Sequence, residues 1–307
     1  MHEPCISVVV PTYNRAHLLE KTLPTYLQPE IFELIVVDDC SLDETRDTVL
    51  QLAQSDNRIR YLRSERNLKQ PHAKNLGIHA ARAPYIYFGD DDALLLPGSL
   101  SFLLETLHAQ KADIVGARAP YMIKEEEVPH AQVLYSFEHA KKLMPADWQT
   151  IINPVTLQAH FDAAYAKPIE VPFVHAAFLV SKKLAEGLLF DGAYTGNCFR
   201  EETDFLIRAK ASGARIWYDS RAVQVNLPRD MAGGGAHTAS GNFVLRKLKI
   251  FMSQAENNWR FLNKNRAALR QVLGNDLSPT LRQSLFLAEI AKVIFSYPLR
   301  KVTGHEF

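Results

Sequence analysis

The stretch PYIYFGDDDALLLPGSL, residues 84–100, runs from an apolar segment directly into three consecutive aspartates. The run YIYF is typical of a short buried strand, and the residues that follow PG have helical spacing. Adjacent carboxylates raise one another's pKa unless a cation neutralises them. The position of Asp90, Asp91 and Asp92 at the end of a buried strand therefore needs a physical reason.

Two interpretations of this aspartate triplet are open from the residues alone. A hard divalent ion such as Mg²⁺ takes one or two carboxylates and completes its shell with phosphate oxygens and water. On that interpretation the triplet is the protein half of a metal–diphosphate site. The alternative is a solvated turn that carries strand-end aspartates, and a position in a strand-end crevice weakens it.

Short strands and helices alternate on both sides of this stretch, through the first 117 residues. Strands are predicted at 6–11, 33–39, 58–64, 85–89 and 113–118, and helices at 17–27, 41–55, 71–83 and 98–110. A capping box, Ser41 with Glu44, is predicted to begin the second helix. Alternation of this kind is typical of βαβ units, so we predict an α/β protein with a mostly parallel central sheet flanked by helices.

Acidic residues follow two of the predicted strands. Asp38 and Asp39 come after the second strand, and the aspartate triplet comes after the fourth. Open parallel sheets bind ligands at the carboxyl ends of their strands, so both groups are predicted to line one crevice. The dinucleotide fingerprint GxGxxG does not follow any strand.

The pattern is weaker after residue 118 but becomes regular again near residue 171. The predicted elements are a strand at 171–181, a helix at 198–213, strands at 214–219 and 222–226, a glycine-rich loop at 227–241, and helices from about 242 to 300 that break near Gly274 and Pro279.

Composition excludes several classes of function. The chain has 307 residues and a formal net charge of +1, which gives no electrostatic reason to expect nucleic-acid binding. Its three cysteines form no CxxC pair, so neither a zinc knuckle nor a disulfide framework is predicted. The N-terminus lacks signal-peptide features, and no apolar run approaches the roughly 20 residues that span a bilayer. We expect a cytoplasmic protein. Contact with the inner face of the membrane is left open.

Four segments occur in order at spacings that carry a family resemblance: ISVVVPTYNR, LIVVDDCSLDET, RNLKQPHAKNLGIHAARAPYIYFGDDDALLLPGSL and REETDFLIRAKASGARIWYD. Together they resemble the inverting nucleotide-sugar glycosyltransferases of family 2, over roughly residues 5 to 245. The resemblance implies the GT-A fold with a C-terminal helical extension. It further implies a nucleotide-sugar-binding half at 1–117, an acceptor-binding and catalytic half at 118–241, and the extension at 242–307.

The resemblance assigns nucleotide contacts residue by residue. The implied positions are Pro11, Thr12, Tyr13, Arg15, Asp39, Lys74, Asn75, Asp90 and Asp91. Lys74 stands where the family usually has arginine, so this chain would offer a point charge in place of a guanidinium fork. Asp92 is the implied metal ligand, with Asp90 and His237 as further candidates and Mn²⁺ or Mg²⁺ as the ion.

The general base is implied to lie in the pair Glu201-Glu202, with Glu202 at the aligned position where aspartate is usual. Glutamate is one methylene longer than aspartate, so Glu201 and Asp204 remain alternatives. Each of these carboxylates could instead be stabilised by the dipole of the helix N-terminus, without any catalytic role. The implied reaction is a single displacement in which Glu202 takes the proton of an acceptor hydroxyl.

The remaining predictions concern partners and the loop and helices at the C-terminal end. The implied donor is a UDP-sugar and the implied acceptor is a glycan or lipid-linked hydroxyl. Loop 227–241 is predicted to close over the site, and His237 in it is either a metal ligand or an exposed loop histidine. The last helices form core, a homodimer interface or a peripheral membrane contact.

Two other functions compete with sugar transfer. A sugar-nucleotide nucleotidyltransferase would need a glycine-rich basic loop after the first strand, and PTYNRAHLLE contains no glycine. A non-catalytic nucleotide-binding protein is the other alternative, and the intact acidic motifs argue against it. The sequence does not identify the sugar or the acceptor.

Overall fold

The computed structural model describes residues 3–140, 142–228, 231–232 and 243–303, and describes only the backbone of 243–247 and 293–303. Its strands are β1 (Ile6–Thr12), β2 (Ile31–Asp38), β3 (Ile59–Arg63), β4 (Tyr85–Phe88), β5 (Ala93–Leu95), β6 (Ile114–Arg118), β7 (Ile169–Glu170), β8 (Phe178–Ser181) and β9 (Ile216–Asn226). Its α-helices are α1 (Ala16–Thr22), α2 (Thr45–Ser55), α3 (Gln70–Ala80), α4 (Ser99–Ala109), α5 (Ala131–Tyr135), α6 (Lys182–Leu188), α7 (Glu201–Ala211), α8 (Phe243–Lys264), α9 (Arg266–Leu273) and α10 (Pro279–Thr303).

The strands form one sheet in the order β3-β2-β1-β4-β8-β6-β9-β5, with β7 also paired to β9. The predicted parallel arrangement is confirmed for β3, β2, β1 and β4. Beyond β4 the sheet is mixed, because β8 runs antiparallel to both β4 and β6. A parallel neighbour usually needs a helical crossover before it. The segment directly before β8 is irregular and not helical, so β8 can run antiparallel.

Several boundaries differ from the predicted ones. The second helix begins at Thr45, and its first backbone N–H donates to the Asp43 carboxylate at 3.1 Å. The predicted capping box is wrong, because the Ser41 hydroxyl accepts from the backbone of Asn14 instead. The strands predicted at 214–219 and 222–226 are the single strand β9, whose pairing with β6 is shifted by a bulge.

Helix α3 packs closely on β1 at a glycine. A Cβ atom on Gly77 would lie 2.3 Å from Cγ1 of Val9, a distance at which something must shift. Interiors packed at this density tolerate little added volume. Gly77 therefore sets how closely α3 approaches the sheet, and so the position of the residues that α3 carries.

The variant Gly77→Ala is expected to lose about 1–3 kcal/mol of unfolding free energy, because overpacking outweighs the gain of about 1 kcal/mol in helix propensity. The matched control is Gly187→Ala in α6, where an added Cβ meets nothing within 4 Å. That control is expected to be neutral or slightly stabilising in urea titrations. Equal stability of the two variants would contradict the close packing of α3.

The C-terminal helices are joined by side-chain hydrogen bonds to residues 195–204. The Asn257 amide accepts from the backbone N–H of Thr195 at 3.1 Å and donates to its carbonyl at 2.8 Å. Asn265 donates to Asp204 at 2.7 Å. Across the described part of the chain, no helix is long and apolar enough to cross a bilayer. The predicted dimer and membrane contacts stay predictions.

Candidate active site

The carboxyl ends of β1, β2 and β4 meet at one edge of the sheet, because these strands are parallel neighbours. They open into a pocket of about 210 Å³. The lining residues are Pro11, Thr12, Tyr13, Arg15, Asp39, Gln70, Ala73, Asp90, Asp91 and Asp92. The two acidic groups therefore share one crevice, as the strand pattern predicts.

The two aspartates after β2 have different environments. Asp38 is buried and forms an ion pair with Arg63 at 2.7 Å, so it holds β2 to β3. Asp39 lines the pocket, and its two oxygens accept from the backbone N–H groups of Leu68 and Lys69 at 2.9 and 2.8 Å. Of the pair, Asp39 is the one placed to contact a ligand.

The first aspartate of the triplet is held by buried polar side chains. The Tyr26 hydroxyl donates to the Asp90 carbonyl at 2.9 Å and accepts from its N–H at 3.1 Å. The amide of Gln224, on β9, donates to Oδ2 of Asp90 at 2.9 Å. Burial raises the pKa of Asp90. Its position is therefore fixed from two sides before any ligand arrives.

The other two aspartates are held through their carbonyls: Asp91 accepts from the Thr22 hydroxyl at 3.1 Å, and Asp92 accepts from the backbone N–H of Leu227 at 2.9 Å. Burial first, and then the charge of Asp92, raises the pKa of Asp91 to about 7. Burial and the charge of Asp90 raise the pKa of Asp92. The guanidinium Nη2 of Arg15 lies 3.7 Å from Oδ2 of Asp92. The triplet thus carries more negative charge than the neighbouring protein groups neutralise, as expected of a site that receives a cation.

The donor set fits a divalent ion that is completed by phosphate oxygens. Among the described residues, no three acidic, histidine or cysteine side chains converge closely enough to hold an ion alone. Magnesium-type sites need only one or two carboxylates, and Asp92 is partly exposed in the pocket. The hydroxyl of Thr12 lines the same pocket beside Asp91. His237, the third predicted ligand, lies outside the described residues.

A second charged cluster, the Lys74 triad, lies where α3 faces the start of α7. The Nζ of Lys74 is within 2.9 Å of Oε1 of Glu201 and 2.7 Å of Oε1 of Glu202. Glu201 is 1% exposed, whereas Glu202 is 22% exposed. Glu202 is therefore the member of the triad that an acceptor can reach.

The charges of the triad are set by its surroundings. Burial, together with the charge of Glu202, raises the pKa of Glu201 well above its usual range. Burial also opposes ionisation of Glu202, but the charge and hydrogen bond of Lys74 outweigh it and lower the Glu202 pKa. Lys74 thus favours the charged form of Glu202, whereas burial favours the neutral form of Glu201. An ionised, reachable carboxylate is what a general base requires.

The alternative base Asp204 is fully buried. Its carboxylate accepts from Arg208 at 2.8 Å, from Asn265 at 2.7 Å and from Lys264 at 3.0 Å. All of these contacts are structural, so Asp204 is not placed to take a proton from a substrate.

Two predicted nucleotide contacts are not supported by the geometry. Lys74 is 1% exposed and is engaged by the two glutamates, so it does not line the pocket at the strand ends. Asn75 donates to the carbonyl of Phe190 and accepts from its N–H, both at 2.8 Å. Asn75 therefore fixes the chain after α6. The position of a residue within a motif does not determine which way its side chain points from the helix.

A larger groove of about 640 Å³, the acceptor-side groove, opens beside Glu202. Its walls come from residues 157–161, 173–176, 197–200 and 202–203, and from α8 and α10. Gln70 lines both the pocket at the strand ends and this groove, and its amide lies 3.4 Å from Oε1 of Glu202. Glu202 is thus at the junction of the two cavities.

His175 lines the acceptor-side groove and was not predicted from the sequence. Its Nδ1 is buried without a hydrogen-bond partner. Burial lowers the pKa of His175, and the charges of Glu202 and Asp92 act on it in the opposite direction. A single histidine in an irregular segment has no helical or strand periodicity that would mark it in the sequence. Only the fold reveals that His175 is near Glu202 and Asp92.

The model of the family described as Glycosyl transferase family 2 matches residues 7–169. This is just over half of the chain, and the chain belongs to that family. The GalNAc(5)-diNAcBac-PP-undecaprenol beta-1,3-glucosyltransferase of Campylobacter jejuni is 37% identical over 116 residues, which are 37% of this chain and 38% of the relative. The putative teichuronic acid biosynthesis glycosyltransferase TuaG of Bacillus subtilis is 36% identical over 92 residues, 29% of this chain and 36% of that protein. The matches thus span well under half the length of these curated relatives.

Solved structures show the same fold. The S. aureus TarS structure has a TM-score of 0.55 at 16% identity, covering 95% of this chain and 44% of the TarS chain. TarS 1–349 in complex with UDP-GlcNAc has a TM-score of 0.53 at 15% identity, covering 87% of this chain and 74% of that chain. The fold is therefore the GT-A fold that the sequence resemblance implies.

Proposed function

We propose that this protein transfers a sugar from a nucleoside-diphosphate donor, with UDP as the nucleotide, to a hydroxyl of a glycan or lipid-linked acceptor. One observation carries the proposal: the carboxylate of Glu202, held by Lys74 at 2.7 Å, lines a groove and lies beside Gln70, which also lines the acid-lined pocket at the strand ends. Two substrates could thus meet at one base. The solved TarS complexes with UDP and UDP-GlcNAc support the choice of donor.

The reaction that this arrangement favours is a single displacement. The donor would occupy the pocket at the ends of β1, β2 and β4, with Asp39 and Arg15 beside the nucleotide. Glu202 would accept the acceptor proton as the hydroxyl attacks the anomeric carbon, which inverts that carbon. Lys74 keeps Glu202 ionised and oriented.

Asp92, with Asp90 beside it, would hold Mn²⁺ or Mg²⁺ in the donor pocket. When bound, such an ion stabilises the charge that develops on a leaving diphosphate. The protein groups prepare this site in two ways: Gln224 and Tyr26 fix Asp90, and the pocket leaves Asp92 accessible.

The variant Asp92→Asn is expected to lower sugar transfer by about 100-fold, since charge stabilisation of this kind is worth several kcal/mol. The measurement is nucleoside-diphosphate release from a panel of UDP-sugars with Mn²⁺ or Mg²⁺. The matched control is Asp47→Asn on the exposed face of α2, which is expected to keep full activity. Wild-type protein that releases no nucleoside diphosphate from any donor and acceptor tested would contradict the proposed activity.

A further inference from the structure

The acceptor-side groove contains a buried cation that the proposed reaction does not use. Arg200 is 8% exposed and lines the groove directly before α7. Its Nε donates to Asn258 at 3.0 Å and its Nη1 donates to the carbonyl of Leu157 at 3.1 Å. Both acceptors are neutral, and the described residues provide no acceptor for Nη2.

No described carboxylate lies within ion-pair distance of Arg200. The two acidic residues that line the same groove are paired elsewhere, Glu202 with Lys74 at 2.7 Å and Glu289 with Lys292 at 2.7 Å. Burial lowers the pKa of Arg200 to about 10. Burying a charge without a counter-ion is costly, so its retention here calls for an anion that arrives from outside.

A second arginine adds to the positive potential. Arg282, at the start of α10, is also buried and donates to the carbonyls of Pro154 and Val155 at 2.9 and 2.6 Å. Its charge acts unfavourably on that of Arg200. The first backbone N–H groups of α7 contribute a further partial positive charge beside Arg200. An anion bound beside Arg200 in the groove would be stabilised by that charge and by the start of α7.

The surface around this cation is aromatic. Phe199 and Phe286 stack at 5.5 Å, and Arg200 lies over the Phe199 ring at 4.8 Å. Phenylalanines also come from α8 and from the segments before α6, so that five line the groove: Phe161, Phe173, Phe199, Phe251 and Phe286. An apolar chain attached to the anion would therefore find a matching surface.

We propose that Arg200 binds the phosphate or diphosphate of an acceptor whose sugar is carried on an apolar chain, and that the groove phenylalanines hold that chain. The proposal rests on the proposed function, since it takes this groove as the acceptor side. It goes further by naming the anionic group, the cation that binds it and the chemistry of the carrier. A hydroxyl on the same molecule would then extend from Arg200 toward Glu202 along one groove.

The test measures binding by calorimetry with three probes: geranyl diphosphate, geraniol and inorganic diphosphate. Arg200→Gln is expected to weaken geranyl diphosphate binding by about 10- to 100-fold, the usual worth of a charged hydrogen bond. Arg200→Lys is expected to keep most of the affinity because the charge remains. The matched control is Arg46→Gln on the exposed face of α2, which is expected to change this binding by less than twofold. Arg15→Gln reports separately on diphosphate that enters the donor pocket.

Each other outcome overturns the proposal or a stated part of it. Loss of binding in Arg15→Gln but not in Arg200→Gln would place the diphosphate in the donor pocket, which overturns the inference while leaving the proposed sugar transfer intact. Equal affinity for inorganic and geranyl diphosphate would overturn the apolar carrier. If Arg200→Gln does not fold, Phe286→Ala decides the matter: it is expected to weaken geranyl diphosphate several-fold and to leave inorganic diphosphate unchanged.

Discussion

Replacing Glu202 with glutamine is expected to lower the rate of sugar transfer by about 10²–10⁴-fold, the range that a positioned general base contributes. Glutamine keeps the size of the side chain and an oxygen for Lys74, but it cannot accept the acceptor proton. The measurement is kcat with donor and acceptor both saturating. Donor binding, measured separately by calorimetry, is expected to change little, because Glu202 does not line the donor pocket.

The neighbouring variant Glu201→Gln is the matched control for this experiment. Glu201 is buried, and burial raises its pKa, so an uncharged amide resembles the form that burial favours. We expect a fall in kcat of less than tenfold. A larger loss in Glu201→Gln than in Glu202→Gln would move the base to Glu201 and would contradict the assignment made from burial.

The substitution Lys74→Met is expected to cost about 3–5 kcal/mol of unfolding free energy at pH 7, because it leaves a buried carboxylate without its cation. In the variant, burial would raise the pKa of Glu202 above its value in the unfolded chain, so protonation would favour the folded state. The deficit should therefore be smaller at pH 5 than at pH 8. Urea titrations at the two pH values measure it.

Two further variants define the cause of this loss. Lys21→Met removes a half-exposed lysine on α1 and is expected to change stability by no more than about 0.5 kcal/mol. Lys74→Met combined with Glu202→Gln also removes the carboxylate that Lys74→Met leaves unpaired. The double variant should therefore be more stable than Lys74→Met alone. If the double variant is less stable than the single one, lost packing and not charge explains the result.

The donor pocket was predictable because parallel strands bring their carboxyl ends together. Apolar runs identify β1, β2 and β4, and the acids that follow them must then share an edge. The structure places eight of the predicted residues around one pocket: Pro11, Thr12, Tyr13, Arg15, Asp39, Asp90, Asp91 and Asp92. Their roles with a nucleotide and a metal remain predictions.

The acceptor-side groove was not predictable in the same way. Its walls come from segments that are distant in sequence and partly irregular, and no periodic pattern connects residues 157–161 with α10. The role of Lys74 depended on Glu201 and Glu202, which reach it only after α7 packs beside α3. Contacts of this kind depend on tertiary packing, and local sequence carries little information about them.

The central position of β4 has a consequence for dividing the molecule. On one side β4 pairs with β1 from the first half of the chain, and on the other with β8 from the second half. A fragment that stopped at residue 117 would leave a buried, apolar strand with an open edge, which is a template for aggregation. Residues 1–117 are thus not an independent module, and parts should be exchanged between relatives by grafting loops and helices and not by joining half-proteins.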